Sequence, residues 1–415
     1  MQGPIQSKTM SQCAQIRGFN YTPSTAYHTI DFWRDYEDSE VVRDLGYAQR
    51  LGLNSARIFL SHAVWAEEPD NFIRRLRHFV RTADDLGIST MPIFWDSCFD
   101  ESEPDFHRRG GNWVPSPGVK HLGESFWPEG ERFCRAVLDG LAGEPGVLMW
   151  DVMNEPRVTT WLKHEDETAR TEMIWTFVRH FCQYVKSLEH ERPITVGVHA
   201  STELPNVLDH VDVASFHNYR GTAETIAVDN AFGMSLAAAQ GKPAIVSEIG
   251  CVARSNPYDV AISVCQEQRI GWYLWELMIG VSQWNDIHGV VYSDGTVRDP
   301  SIVAAIKGFY RNRTATNIPE NVDRELVASA LLDRIGDWLS QEDSSPEVGL
   351  DLAEQGANLL EAAQLVPMRR PPTTTVRMLR AGSHELNPIR ELLRFLQSGL
   401  AKAIEEPQPT YVPPL

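Results

Sequence analysis

From Ile16 to Arg311 the chain repeats one pattern: a short apolar run, a loop, then a stretch with apolar residues at helical spacing. Eight runs read as strands: Ile16–Asn20, Ala56–Leu60, Ser89–Phe94, Val147–Met153, Ile194–Val198, Val213–His217, Ala244–Glu248 and Trp272–Trp275. Several are almost continuously apolar, as strands covered on both faces are. Between them, Asp70 to Leu86 carries Phe72, Leu76, Phe79, Val80 and Ala83 on one helical face and meets a stop at Gly87. Thr171 to Leu188 does the same with Ile174, Phe177, Val178, Phe181 and Val185. Val290 to Val297 reads as a hairpin around Asp294-Gly295, and Asp299-Pro300 opens a last helix of this region.

Eight strand–helix units in about 300 residues predict an α/β fold, a (β/α)8 TIM barrel, whose usual size is ~250 residues plus insertions. The competitor is an open doubly wound sheet. It would show a glycine-rich phosphate loop after an early strand, and the chain has no G-x-G-x-x-G. Beyond Thr314 the pattern becomes purely helical. Arg324 to Leu339, Val348 to Val366 and the stretch opened by Asn387-Pro388 each carry an apolar stripe, while the Pro/Thr-rich segment Arg369 to Thr375 reads as a linker or turn. The expected organisation is a barrel over 1–314, a C-terminal α-helical appendage over 315–405 and a Pro-rich tail over 406–415. Three apolar stripes must be covered somewhere, so the appendage is expected to brace the barrel or to form a homo-oligomer contact.

Composition narrows the partners. The 415 residues carry a formal charge of −18, which repels phosphate backbones and anionic membranes. No nucleic-acid or membrane partner is expected. Residues 315–415 hold 15 acidic and 9 basic side chains, a net of −6, so −12 falls on the barrel region. Met1 to Gln15 is polar and lacks the apolar core of a signal peptide, which predicts a cytoplasmic protein, or a secreted one if a leader precedes this sequence. Six scattered cysteines without a C-x-x-C pair read as reduced structural thiols. His164-Glu165 and His384-Glu385 lack the second histidine of a zinc helix, so neither a metal nor a cofactor is expected.

Chemistry in a parallel barrel gathers where the strands end. Those ends read Asn20-Tyr21, Arg57, Trp95-Asp96, Asn154-Glu155-Pro156, His199, His217-Asn218-Tyr219, Glu248 and Trp275-Glu276. About half of any such list would be caps and rim residues. Two carboxylates, Glu155 and Glu248, can cleave a glycosidic bond, one protonating the leaving oxygen and the other attacking the anomeric carbon or activating water. Trp113 and Trp127, in the insertion after the third strand, either stack on sugar faces or pin their own loop. Trp284 leans to the substrate side. Trp33, Glu276 and His199 each have a substrate reading and a structural one.

With these residues in order the sequence resembles clan A glycoside hydrolases, and within them family 5, the cellulase and mannanase family. Trp150-Asp151-Val152-Met153-Asn154-Glu155-Pro156 is similar to the acid/base motif. Ser247-Glu248-Ile249-Gly250 resembles the nucleophile motif, and His217-Asn218-Tyr219, Arg57 and Trp275 match the sixth-, second- and eighth-strand residues. The resemblance spans about residues 16–311. It implies a retaining β-glycosidase that hydrolyses β-linked glucosides, mannosides or related oligosaccharides by double displacement. Glu155 would be acid/base and Glu248 nucleophile. Asn154 would bind the sugar 2-hydroxyl, and Arg57 and Tyr219 would orient Glu248. His217 would serve the acid/base side or the substrate, and Trp275 would floor the sugar subsite; Trp95 and Asp96 at the third strand end and Trp284 in the loop after the eighth strand are read from their positions as further substrate contacts. The third strand ends Phe94-Trp95-Asp96-Ser97, where many family members have a histidine. Two alternatives stand beside hydrolysis: transglycosylation through the same intermediate, and a non-catalytic carbohydrate-binding barrel.

Overall fold

The structure is a computed structural model. It describes residues 12–98, 113–118, 121–157, 167–252, 256–308, 324–341, 345–362, 372–382 and 385–405. The chain divides into two compact units, Met1–Tyr310 and Arg311–Leu415.

In the first unit eight parallel strands close into a barrel in sequence order: β1 (Arg17–Tyr21), β2 (Ser55–Phe59), β3 (Ser89–Asp96), β4 (Trp150–Asn154), β5 (Ile194–Val198), β6 (Ala214–His217), β7 (Ala244–Ile249) and β8 (Gly271–Leu274), with β1 pairing β8. The (β/α)8 expectation holds. Each apolar run is a strand because its outer face is covered by helices and its inner face by the barrel core. Helix Pro69–Asp85 buries Phe72, Leu76, Phe79, Val80 and Ala83, the stripe read from the sequence, and starts on a proline whose missing N–H costs nothing there.

One connection departs from eight full units. Between β5 and β6 the chain makes only the 3-10 turns Ser201–Asn206 and Leu208–His210, with Pro205 inside the first. Those residues are too few, and too proline-interrupted, for a long crossover helix. After β8 a small parallel pair, β9 (Met278–Ile279) and β10 (Val291–Tyr292), precedes a turn closed by Gly295 N–H on the Tyr292 carbonyl.

Register aligns the chemistry. Asn20 pairs with Arg57, Asp96 with Asn154, and His217 with Glu248, all at one rim. The ladders β4–β5, β6–β7 and β7–β8 each shift register within one or two residues of that rim. Such bulges re-aim side chains where strict alternation would point them away.

The second unit holds helices Arg324–Ser340, Pro346–Ala362, Pro372–Ala381 and Leu386–Glu405. Leu331, Ile335, Trp338, Leu350, Ala353, Leu360, Val376, Ile389, Leu393, Leu396 and Leu400 form its own core. The segment expected to be a linker contributes a helix from Pro372. Its proline occupies the first turn, where no backbone donor is needed, and Val376 supplies the buried anchor. The tail 406–415 lies outside the described residues. Among the described residues no helix is long and apolar enough to cross a membrane.

Candidate active site

The site begins with a buried guanidinium. Arg57 is fully buried at the middle of β2 and spreads its donors over four partners. Nε binds Asp151 (2.9 Å), Nη1 binds Asn20 (2.9 Å) and Glu248 (2.8 Å), and Nη2 binds Asn154 (2.8 Å). A planar fork is the group that can hold this many acceptors at fixed angles. Gly197 on β5 makes room for it: a Cβ there would lie 2.6 Å from Nη2. Arg57 therefore orients Glu248 and Asn154 from below.

Glu248, at 5% exposure, accepts a second hydrogen bond from the Tyr219 hydroxyl (2.9 Å). Glu155 follows β4 in a left-handed conformation, φ 38°. Among the described residues Arg269 is the other non-glycine with positive φ. That conformation costs on the order of 1–3 kcal/mol and is held here by the site around it. Its Oε1 meets His217 Nδ1 (2.6 Å) and His199 Nδ1 (3.1 Å), and its Oε2 accepts from the Cys98 thiol (3.0 Å).

The two carboxyls are electrostatically linked. His217 Nδ1 lies 2.6 Å from Glu155 and 3.3 Å from Glu248. Burial pushes the Glu155 carboxyl up, but charge on His217 and hydrogen bonds from His199 and His217 outweigh it and hold it well below the usual carboxylate range. Burial raises Glu248, and the Glu155 charge adds to this, against the pull of His217, Arg57 and Tyr219. His217 Nε2 is buried without a hydrogen-bond partner. Arg57 does not titrate and favours ionised Glu248.

Phe59, Cys98, Trp113, Asn154, Glu155, His199, Tyr219, Glu248, Trp275, Trp284 and His288 line one pocket at this rim. Trp275 stands edge-on to Phe59 and Trp113, with ring centroids 5.7 and 6.2 Å away, forming an aromatic corner. Among the described residues, Glu155, His217 and Glu248 are the one group whose potential ligand atoms converge, all within 4.8 Å of one another. Glu155 accepts from the Cys98 thiol and Glu248 from Arg57 and Tyr219, while His217 Nδ1 is turned to both carboxylates.

Of the residues predicted from sequence, Glu155, Glu248, Asn154, Tyr219, Trp275 and Trp284 line the pocket, and Arg57 and His217 sit directly beneath it. Asp96 is buried and holds its neighbours without lining the pocket. Burial pushes its carboxyl up to about 7, against hydrogen bonds from Trp113, Cys98 and Asn154.

Trp95 is a correction. Its ring packs outward, against Phe126, Phe133, Phe177 and Phe181, and is fully buried. Ile93 faces the pocket cluster while Phe94 and Trp95 both face the helices, and Asp96 turns inward again. On β4 the same slip occurs: Asp151 and Asn154 point in, Val152 and Met153 out. Truncating Trp95 to alanine is expected to cost about 3–5 kcal/mol in denaturant unfolding. A loss below about 1 kcal/mol would contradict this packing.

The residues with two readings divide. Trp113 and His199 belong to the pocket. Trp127 stacks on His180 away from it, and Trp33 is core, donating Nε1 to the Phe59 carbonyl (2.7 Å). Glu276 is buried beside Ser282, its carboxyl pushed up to about 8 by burial, and does not line the pocket. Sequence reasoning missed Phe59, Cys98 and His288. Phe59 was findable, since it lies two residues beyond inward-facing Arg57 on the same strand. Cys98 and His288 come from loops, where no period marks them.

The model of the cellulase family, glycosyl hydrolase family 5, matches residues 105–281. Mannan endo-1,4-beta-mannosidase A of Podospora anserina is 23% identical over 262 residues, 54% of this chain and 63% of that protein. The match thus spans less than two thirds of that relative's length. Among solved structures, an exo-beta-1,4-mannosidase from Opitutaceae bacterium strain TAV5 superposes with a TM-score of 0.53 at 16% identity, covering 77% of this chain and 67% of that one. A GH5_18 variant from Streptomyces cattleya in complex with Manb1-4GlcNAc gives 0.53 at 17%, covering 74% and 83%. At these identities the superpositions speak for the fold alone. By its barrel, its family-model match and the order of its strand-end residues, this chain resembles glycoside hydrolase family 5 of clan A.

Proposed function

We propose that the protein is a retaining β-glycosidase acting on β-mannosides, or on related β-linked glucosides and oligosaccharides. The observation that carries this is the convergence of Glu155, His217 and Glu248 atoms within 4.8 Å. Retaining enzymes hold their carboxyls ~5–5.5 Å apart, whereas inverting ones leave ~6.5–9.5 Å for a water between them. Glu248, fixed by Arg57 and Tyr219, attacks the anomeric carbon while Glu155 protonates the departing oxygen. A glycosyl ester on Glu248 results. Water then attacks the anomeric carbon from the opposite face, Glu155 takes its proton, and Glu248 leaves as carboxylate.

Asn154 is held for a specific task. Its Oδ1 is taken by Arg57 and one Nδ2 hydrogen by Asp96 (3.1 Å), so the other hydrogen remains for a sugar hydroxyl. The Trp113–Trp275 corner offers indole faces to the C–H faces of a pyranose. The β-mannoside preference rests on what the relatives are named for, an endo- and an exo-mannosidase and a Manb1-4GlcNAc complex. A panel of nitrophenyl β-mannosides, β-glucosides and β-galactosides, with manno-oligosaccharides, tests it. The β-mannoside is expected to give the highest kcat/KM. Preference for another sugar would overturn the substrate class, and binding without turnover across the panel would favour a non-catalytic barrel.

A further inference from the structure

Asp96 has the most heavily used side chain at the rim that the two-step reaction leaves without a role. It is 3% exposed and absent from the pocket lining. Its Oδ2 accepts from Trp113 Nε1 (2.7 Å), and its Oδ1 accepts from the Cys98 backbone N–H (3.0 Å) and from Asn154 Nδ2 (3.1 Å). Each of those three residues lines the pocket and does something different there. Trp113 forms one wall of the aromatic corner. Asn154 presents its remaining amide hydrogen. Cys98 puts its thiol on Glu155.

Backbone contacts reinforce the arrangement. Asp96 N–H donates to the Ser116 carbonyl (2.7 Å), and Asp96 forms a parallel bridge with Pro117. The segment carrying Trp113 is therefore docked on the end of β3 by Asp96 through both main chain and side chain. A carboxylate can satisfy three donors from two oxygens, and no neutral side chain of this size can. An amide at this position would turn one of its ends, an NH2, toward a donor.

We propose that Asp96 is a positioning residue: one buried carboxylate fixes the Trp113 wall, the Asn154 amide and the Cys98 turn beside Glu155 as a single unit. It acts on substrate only through them. This rests on the glycosidase reading. It adds to that reading that the sugar-stacking wall and the acid/base side are mechanically linked.

The test is a double-mutant cycle with Asp96→Asn and Trp113→Phe, using steady-state kinetics on the best aryl glycoside and thermal melts to confirm folding. Asp96→Asn is expected to raise KM and lower kcat, with kcat/KM down on the order of 10²-fold, the usual effect of a small misplacement in a reactive geometry. Trp113→Phe keeps a ring and removes the N–H, so it should raise KM and spare most of kcat. In the Trp113→Phe background, Asp96→Asn should no longer raise KM, while its kcat loss through Asn154 and Cys98 persists. An undiminished KM effect in that background, or wild-type kinetics in Asp96→Asn, overturns the proposal. If Asp96→Asn does not fold, Trp113→Phe alone decides: an unchanged KM overturns it. A wild-type protein inactive on every glycoside would instead sink the glycosidase reading itself.

Discussion

Glu248→Gly is expected to abolish hydrolysis, with kcat for an activated aryl glycoside falling on the order of 10⁴–10⁶-fold, as when a covalent nucleophile is removed. Added azide should then restore turnover and give the α-glycosyl azide. The physical reason is space and charge. The glycine leaves a cavity on the α face where the carboxylate stood, beneath the anomeric carbon. Arg57 and Tyr219, which held the carboxylate at 2.8 and 2.9 Å, remain to attract a small anion. Attack by azide from that face displaces the leaving group in one inversion. Glu155 still protonates the leaving oxygen. Full residual hydrolysis in this variant would remove Glu248 from the mechanism.

The second large effect is expected at Glu155. Glu155→Ala should lower kcat about 10²–10⁴-fold for alkyl glycosides, whose leaving oxygens need a proton. Aryl glycosides with acidic leaving groups should lose less in the first step, because nitrophenolate departs unaided. The glycosyl ester on Glu248 then accumulates, since no base activates water. Azide needs no base, so it should trap this intermediate as the β-glycosyl azide. Opposite azide anomers from the two variants would assign the two carboxylates independently. The same anomer from both would contradict the assignment. The His217 and His199 contacts to Glu155, 2.6 and 3.1 Å, are what this variant strands, so some loss of stability accompanies it.

The barrel was legible in the sequence because its strands are covered on both faces. Runs such as Ile194–Val198 and Ala244–Ile249 are then apolar nearly throughout, and loops punctuate them. The site was legible where strand ends carry it. Arg57, Glu155, His217 and Glu248 stand in one ring because parallel strands in register end together. What failed follows from the same physics. Strict alternation along β3 sends Trp95 inward with Ile93, but the strand slips phase at Phe94–Trp95 and the indole turns to the helices. The helix Pro372–Ala381 was hidden by prolines that a first turn tolerates. Cys98 and His288 reach the pocket from loops, where position depends on docking and no period announces it. Asp96 is the clearest instance. Its place in the sequence suggested a substrate contact, whereas its side chain accepts hydrogen bonds from Trp113, Cys98 and Asn154 and does not line the pocket.

A double displacement on closely spaced carboxylates leaves its signature in product stereochemistry. Proton NMR of the sugar released from the best β-glycoside, recorded before mutarotation, should show the β anomer first, with the α anomer growing in later. The α anomer appearing first would mean a single displacement and would contradict the account.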